Sequence, residues 1–175
     1  MKTLWTAARA LFFASGFLFV AGWLALRLRT LDGRIGLALP QWTPVLGWVI
    51  AIPALAIELL CIGTFVVRGH GTPAPFDAPR QVVAVGPYKY VRNPMYIGGL
   101  SLLAAFGLYL RSGAALAFCL PWLLLAHIFV LAYEEPALRE KFGAPYETYC
   151  RTVPRWIPRF SSRRKPANTH SEAPR

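Results

Sequence analysis

The chain has 175 residues, of which 55% are hydrophobic and only 15% charged. A soluble domain of this length is rarely so apolar. Its net charge of +11 would suit nucleic acid in a soluble protein, but no nucleic-acid motif accompanies the charge, and the cations flank apolar runs instead.

Four stretches lack Asp, Glu, Lys and Arg altogether: residues 10–26, 35–57, 94–110 and 112–133. A bilayer core takes roughly 20 apolar residues per helix, within a range of about 17–25. The runs are continuous rather than alternating, so they predict helices and not barrel strands. The fold class expected is therefore all-α, a polytopic membrane bundle of about four transmembrane helices with short interfacial helices after them. Residues 1–160 form one membrane-embedded domain in this reading. Residues 1–67 supply its N-terminal helices and residues 86–158 its polar site region.

In chain order, Lys2, Arg9 and the first apolar run resemble a signal peptide, but Trp23, Leu24 and Arg27 stand where a cleavage site needs small residues. An uncleaved first helix is expected. Asp32-Gly33 marks a turn. The second helix spans residues 42–67 and contains Pro53, which should kink it. Residues 69–79, rich in Gly and Pro, read as a loop, and residues 81–85 as a short extended or interfacial piece. Pro94 suits the first turn of the third helix. Arg111-Ser112-Gly113 makes a tight turn, so helices three and four form a hairpin. The fourth continues through Leu138 to Phe142 and stops at Gly143. Residues 145–151 form a short interfacial helix, and residues 161–175 a basic, polar, disordered tail.

Fifteen of the 19 Lys and Arg residues fall on one side of a four-span arrangement, leaving Arg27, Arg29, Arg34 and Arg111 on the other. The positive-inside rule then places both termini in the cytoplasm, with the basic segment 159–165 against anionic headgroups. The partners expected are the lipid bilayer and a lipidic or membrane-soluble small molecule. Oligomeric state is left open. Cys61 and Cys119 sit in apolar helices and Cys150 near the interface. Their spacing matches no metal-site pattern, so they read as packed thiols.

Polar residues gather in two places, residues 86–96 and residues 134–155, at the same ends of the hairpin helices. They must be neighbours. An interfacial belt accounts for Tyr88 or Trp156, but it accounts poorly for adjacent Glu134 and Glu135. The set of Lys89, Arg92, Lys141, two carboxylates, Asn93 and several tyrosines suits a zwitterionic, partly apolar ligand, since an arginine grips a carboxylate and a glutamate an ammonium or ribose hydroxyls. Gly98 and Gly99 allow close approach by a neighbour or ligand. Two ionisable residues lie deeper. Glu58 is roughly 15 Å from its helix end and His127 roughly 10 Å from Glu134, at 1.5 Å per residue. Each is either a structural partner or a lining of a substrate path.

At these residues the chain resembles the isoprenylcysteine carboxyl methyltransferases and their phospholipid methyltransferase relatives. Gly86, Pro87, Tyr88, Arg92, Asn93, Pro94 and Tyr96 are similar to the pattern Gly-Pro-Tyr-x-x-x-Arg-His-Pro-x-Tyr. Glu134, Glu135, Leu138, Phe142, Gly143, Tyr146 and Tyr149 are similar to Glu-Glu-x-x-Leu-x-x-x-Phe-Gly-x-x-Tyr-x-x-Tyr. Val153-Pro154 and Ile157-Pro158 match the closing segment. The resemblance implies S-adenosylmethionine as cofactor, a pocket formed by the last helices and open to the cytosol, and a substrate arriving from the bilayer. On that basis Tyr88, Arg92, Asn93, Pro94, Tyr96, Gly98 and Glu134 are the expected cofactor contacts. Glu135, Lys141 and Arg155 are the catalytic candidates, and Glu58, His127 and Tyr146 the substrate candidates. No metal is expected. Asn93 stands where the pattern has His, keeping a hydrogen-bonding group and losing titration near neutrality. Two other readings remain: an NADPH-dependent membrane reductase of sterol-reductase-like architecture, and a non-catalytic membrane subunit with a degenerate pocket.

Overall fold

The computed structural model describes residues 2–65, 67 and 81–158. The predicted loop at residues 69–79 and the basic tail at residues 161–175 lie outside them. The described residues are helical, in the order α1 (Lys2–Arg29), α2 (Asp32–Ile35), α3 (Thr43–Thr64), α4 (Pro94–Tyr109), α5 (Gly113–Ala117), α6 (Cys119–Phe129), α7 (Glu135–Phe142) and α8 (Ala144–Thr152). A 3₁₀ turn at Gly86–Lys89 precedes α4, and a π-helical turn at Val130–Glu134 joins α6 to α7. No strand occurs among the described residues, and residues 82–84, read above as possibly extended, carry no regular structure.

Helices stand at all four expected places. Two runs are long and apolar enough to cross a membrane, Thr43–Thr64 and Gly113–Phe142. α4, at 16 residues, is shorter than a typical span,. In the two long runs only 28% and 22% of the most apolar window is buried inside the protein. Trp48, Ile52, Leu55, Leu59 and Leu60 on α3 are exposed, as are Leu120, Leu124, Leu125 and Ile128 on α6. A soluble monomer does not present apolar surface on this scale; hydrocarbon accepts it.

α3 and α4 pack closely because small residues face each other. A Cβ on Gly47 would stand 2.8 Å from the Ala105 backbone oxygen. Thr43 Oγ1 donates to the Leu108 carbonyl across the same contact at 3.1 Å. α1 joins through Ala21 and Ala25, which pack with Leu103 of α4 and Ala115 of α5. The Asp32-Gly33 turn is in fact a single helical turn, closed by Gly36 in the left-handed region. Asp32 is buried, and its Oδ1 accepts from the Ala114 N–H at 2.9 Å. It thereby satisfies a donor at the start of α5 that has no helical partner. Gly113 N–H donates to the Leu37 carbonyl, and Ser112, 0% exposed, caps α5 through Ala115 N–H. The hairpin turn is thus a clamp over the bundle end.

The last long helix passes Pro136 without stopping. Proline clashes with the carbonyl four residues earlier in an α-helix. Here the preceding turn is widened: Glu135 N–H bonds the Val130 carbonyl, five residues back. Such π turns recur at functional sites, and this one sets the aim of Glu134 and Glu135.

Candidate active site

Glu135 is the centre of the polar end. It is 2% exposed. Arg155 grips it with two hydrogen bonds, Nε to Oε1 at 2.7 Å and Nη2 to Oε2 at 3.0 Å. Arg92 Nη1 lies 2.9 Å from Oε1, and Arg139 Nη2 lies 3.4 Å from Oε2, one turn along α7. Arg139 continues to Glu147 of α8 at 2.8 Å. One carboxylate therefore ties together the segment before α4, α7 and the residues after α8. The Glu135 bond holds the Arg155 guanidinium above its usual pKa. Removing one member of a buried charge cluster leaves the others uncompensated, which costs more than the pairing ever contributes.

Glu134, its neighbour, has a separate task. Its Oε2 accepts from the Tyr96 hydroxyl at 2.9 Å, and no described residue donates to Oε1. Tyr96 also meets Trp156 edge to face, with centroids 6.2 Å apart. Trp156 Nε1 donates to His127 Nδ1 at 3.0 Å. In the neutral imidazole the proton then sits on Nε2. Trp156 thereby joins α4 to α6.

Residues 153–158 form a strap pinned at successive points. Arg92 N–H donates to the Pro154 carbonyl at 2.9 Å. Asn93 Nδ2 donates to the Arg155 carbonyl at 3.3 Å. Trp156 holds His127. Tyr146, Tyr149 and Val153 pack beneath as a small core, where burial pushes the Tyr149 phenol up against the opposing pull of Arg92. Tyr149 donates to the Tyr88 carbonyl at 2.7 Å. Cys150, unassigned by the sequence beyond a packed thiol, accepts from Arg92 Nη1 at 2.9 Å.

The structure brings together Tyr88, Arg92, Asn93, Pro94, Tyr96, Glu134, Glu135, His127, Tyr146 and Arg155 around the start of α4. Lys141 is exposed on α7, its ammonium 5.5 Å from the Phe142 ring centroid. The open face of Gly98 is taken by Glu58, whose Oε1 lies 2.7 Å from where a Cβ would be.

Apolar helices that carry a buried ionic cluster and a second carboxylate at one end define a membrane protein with a polar site. The chain belongs to the phospholipid methyltransferase family, whose pattern it matches over residues 42–145. It is also 32% identical over 134 residues to methanethiol S-methyltransferase 2 of Bradyrhizobium diazoefficiens, a match taking in 74% of this chain and 49% of that protein. The chain thus spans about half the length of that curated relative. No solved structure matches it.

Proposed function

We propose that this protein is an integral membrane methyltransferase that moves the methyl group of S-adenosylmethionine to a membrane-soluble acceptor. The observation that carries this reading is the division of labour between adjacent carboxylates: Glu135 is consumed by three arginines, while Glu134 keeps an oxygen for a ligand beside Tyr96 and Trp156. The residues fit the cofactor. Arg92 Nε is buried without a partner, a donor suited to a carboxylate. The free oxygen of Glu134 suits an ammonium or ribose hydroxyl. The rings of Tyr96 and Trp156 suit a cationic, partly aromatic molecule. When bound, the cofactor would supply an already activated methyl group.

What remains for the protein is positioning and exclusion of water. Arg155, held by Glu135, fixes the strap, and the strap fixes Trp156. Glu135 and Arg155 then act through geometry. In this reading the bundle has four spans, α1, α3, α4 and the run of α5 to α7, as one domain with both termini and the site at the cytoplasmic face. The test is calorimetric titration of detergent-purified protein with S-adenosylmethionine and, separately, NADPH, followed by methyl labelling of a membrane extract. Binding of S-adenosylmethionine with a labelled product supports the reading. Binding of NADPH alone, or of neither, overturns it.

A further inference from the structure

The ionic cluster occupies one end of the bundle, and four arginines occupy the other. Arg27 and Arg29 close α1, Arg34 belongs to α2, and Arg111 stands in the turn between α4 and α5. All four are exposed. The clamp ties their segments together: Asp32 Oδ1 accepts from the Ala114 N–H, and the Leu39 N–H donates to the Arg111 carbonyl, each at 2.9 Å. Asp32 is the only acidic residue in residues 1–57, and residues 94–133 contain none. It is buried, with its carboxylate turned to the start of α5. The four like charges thus have no exposed counter-charge from these segments, and their repulsion works against the compact state.

Arg111 is the one described non-glycine residue with a positive φ, 57°. There a Cβ crowds the backbone, and glycine or asparagine is the usual occupant. The side chain gives the fold little in return. Its Nε donates to the Leu39 carbonyl in an exposed bond of 3.3 Å, and no described residue accepts from its other guanidinium nitrogens. An arginine held in a strained conformation for one long bond points to work done by its guanidinium outside the chain. The aromatic residues at the same end set its depth. Trp23, Trp42, Trp48 and Tyr109 are each at least 50% exposed. Arg27 lies over the Trp23 ring, 5.2 Å from its centroid, and Trp48 meets Tyr109 edge to face. Exposed Trp and Tyr on apolar helices settle at the level of the lipid headgroups.

We infer that this end of the bundle is a binding surface for anionic phospholipids, its arginines holding the headgroup phosphates. A guanidinium matches phosphate oxygens two at a time. The aromatic girdle puts the guanidinium groups at phosphate depth, where the bilayer and not the bulk solution supplies the anion. The surface lies at the far end of α3 and α4 from Glu134, so its lipid is a structural partner and not a methyl acceptor, and the inference stands apart from the methyl-transfer reading. A bound headgroup offsets the repulsion among the arginines and tightens the clamp that Asp32, Ser112 and Leu37 close. The stability of the chain then depends on the charge of the leaflet at that end.

The experiment places the full chain in nanodiscs of phosphatidylcholine alone, or of phosphatidylcholine and phosphatidylglycerol in equal parts. The wild type should unfold about 3 °C or more higher in the charged discs. Titration of the detergent-purified chain with short-chain phosphatidylglycerol, read through the same thermal midpoint, gives an affinity. Arg111→Asn should weaken that affinity about fivefold, the effect of one cation near an anionic surface. In phosphatidylcholine discs its midpoint should equal or exceed that of the wild type, because asparagine tolerates the positive φ. Arg34→Gln, which leaves the turn intact, should weaken the affinity to a similar degree. Arg151→Gln, exposed on α8 at the opposite end, should leave it unchanged. Inorganic phosphate at the lipid's concentration should not move the midpoint. The inference is overturned if the wild type has the same midpoint in both discs, or if Arg151→Gln weakens binding as much as Arg34→Gln. It is equally overturned if Arg111→Asn is the less stable chain in phosphatidylcholine, or if inorganic phosphate acts as strongly as the lipid.

Discussion

Glu134 and Glu135 are adjacent in sequence, yet their surroundings give them opposite consequences on mutation. Glu135→Gln leaves Arg92, Arg139 and Arg155 facing a neutral amide. The buried part of that cluster should destabilise the protein by about 3–5 kcal/mol, visible as a lower thermal midpoint in detergent. Glu134→Gln should leave the midpoint almost unchanged, since Tyr96 can still donate to the amide oxygen. It should weaken S-adenosylmethionine binding by about 1.5–3 kcal/mol, as for hydrogen bonds to charged groups. Equal effects from the two variants would remove the division of labour on which the functional reading stands. Asn93 belongs to the same scale. Its Nδ2 supports the strap at the part-buried Arg155 carbonyl, so Asn93→Leu should cost up to about 1–3 kcal/mol, the range for an acceptor left unsatisfied away from water. A histidine can still donate there, so Asn93→His should fold and bind cofactor. Thermal midpoints and cofactor affinities of both variants, measured side by side, check this; a Leu variant indistinguishable from wild type would show that the contact is idle.

Among the elements, the α3–α4 contact carries the sharpest constraint. The atom nearest a Cβ on Gly47 is a backbone oxygen, at 2.8 Å, and backbone cannot swing aside as a side chain can. Gly47→Ala should therefore separate the helices and cost about 1–3 kcal/mol, the usual range for overpacking, despite alanine's better helix propensity. A stability measurement showing gain rather than loss would refute the contact. Element boundaries were legible in the sequence wherever local chemistry sets them. Pro94 opens α4, Gly143 with φ 56° closes α7, and α8 occupies the predicted interfacial segment. Relations set by distant pairing were not legible. Asp32 read as a turn residue because its partner, Ala114, is 82 residues away. Glu58 read as deep because depth was counted along its own helix. Trp156 read as belt because nothing local links it to His127. The motifs located the site, but only packing separates Glu134 from Glu135.

At the scale of the whole molecule, the order of helices makes a statement about sides. From Gln41 the chain enters α3, returns through α4, and leaves through the continuous run Gly113–Phe142. In the four-span reading proposed above, these three crossings would put Gln41 and Thr148 on opposite faces of the membrane. Two of those runs have the length and apolar exterior of spanning helices. α4 is shorter, but it packs along α3, with Gly47 against Ala105 and Tyr109 at one end and Glu58 against Gly98 at the other, so in that reading it follows α3 through the same thickness. The Arg111-Ser112-Gly113 turn looks a natural place for a label by sequence, but Ser112 is fully buried beneath residues 37–39, and a cysteine there would be silent on either side. Gln41 and Thr148 are exposed. Single cysteines introduced at each, compared with the parent's own Cys61, Cys119 and Cys150, should react with a membrane-impermeant maleimide in opposite preparations: one in intact cells, the other only in inverted vesicles. The excess of cations on the Thr148 side predicts that Thr148 is the cytoplasmic one. Labelling of both from the same side would require an even number of crossings, and α4 would then have to turn back within the bilayer.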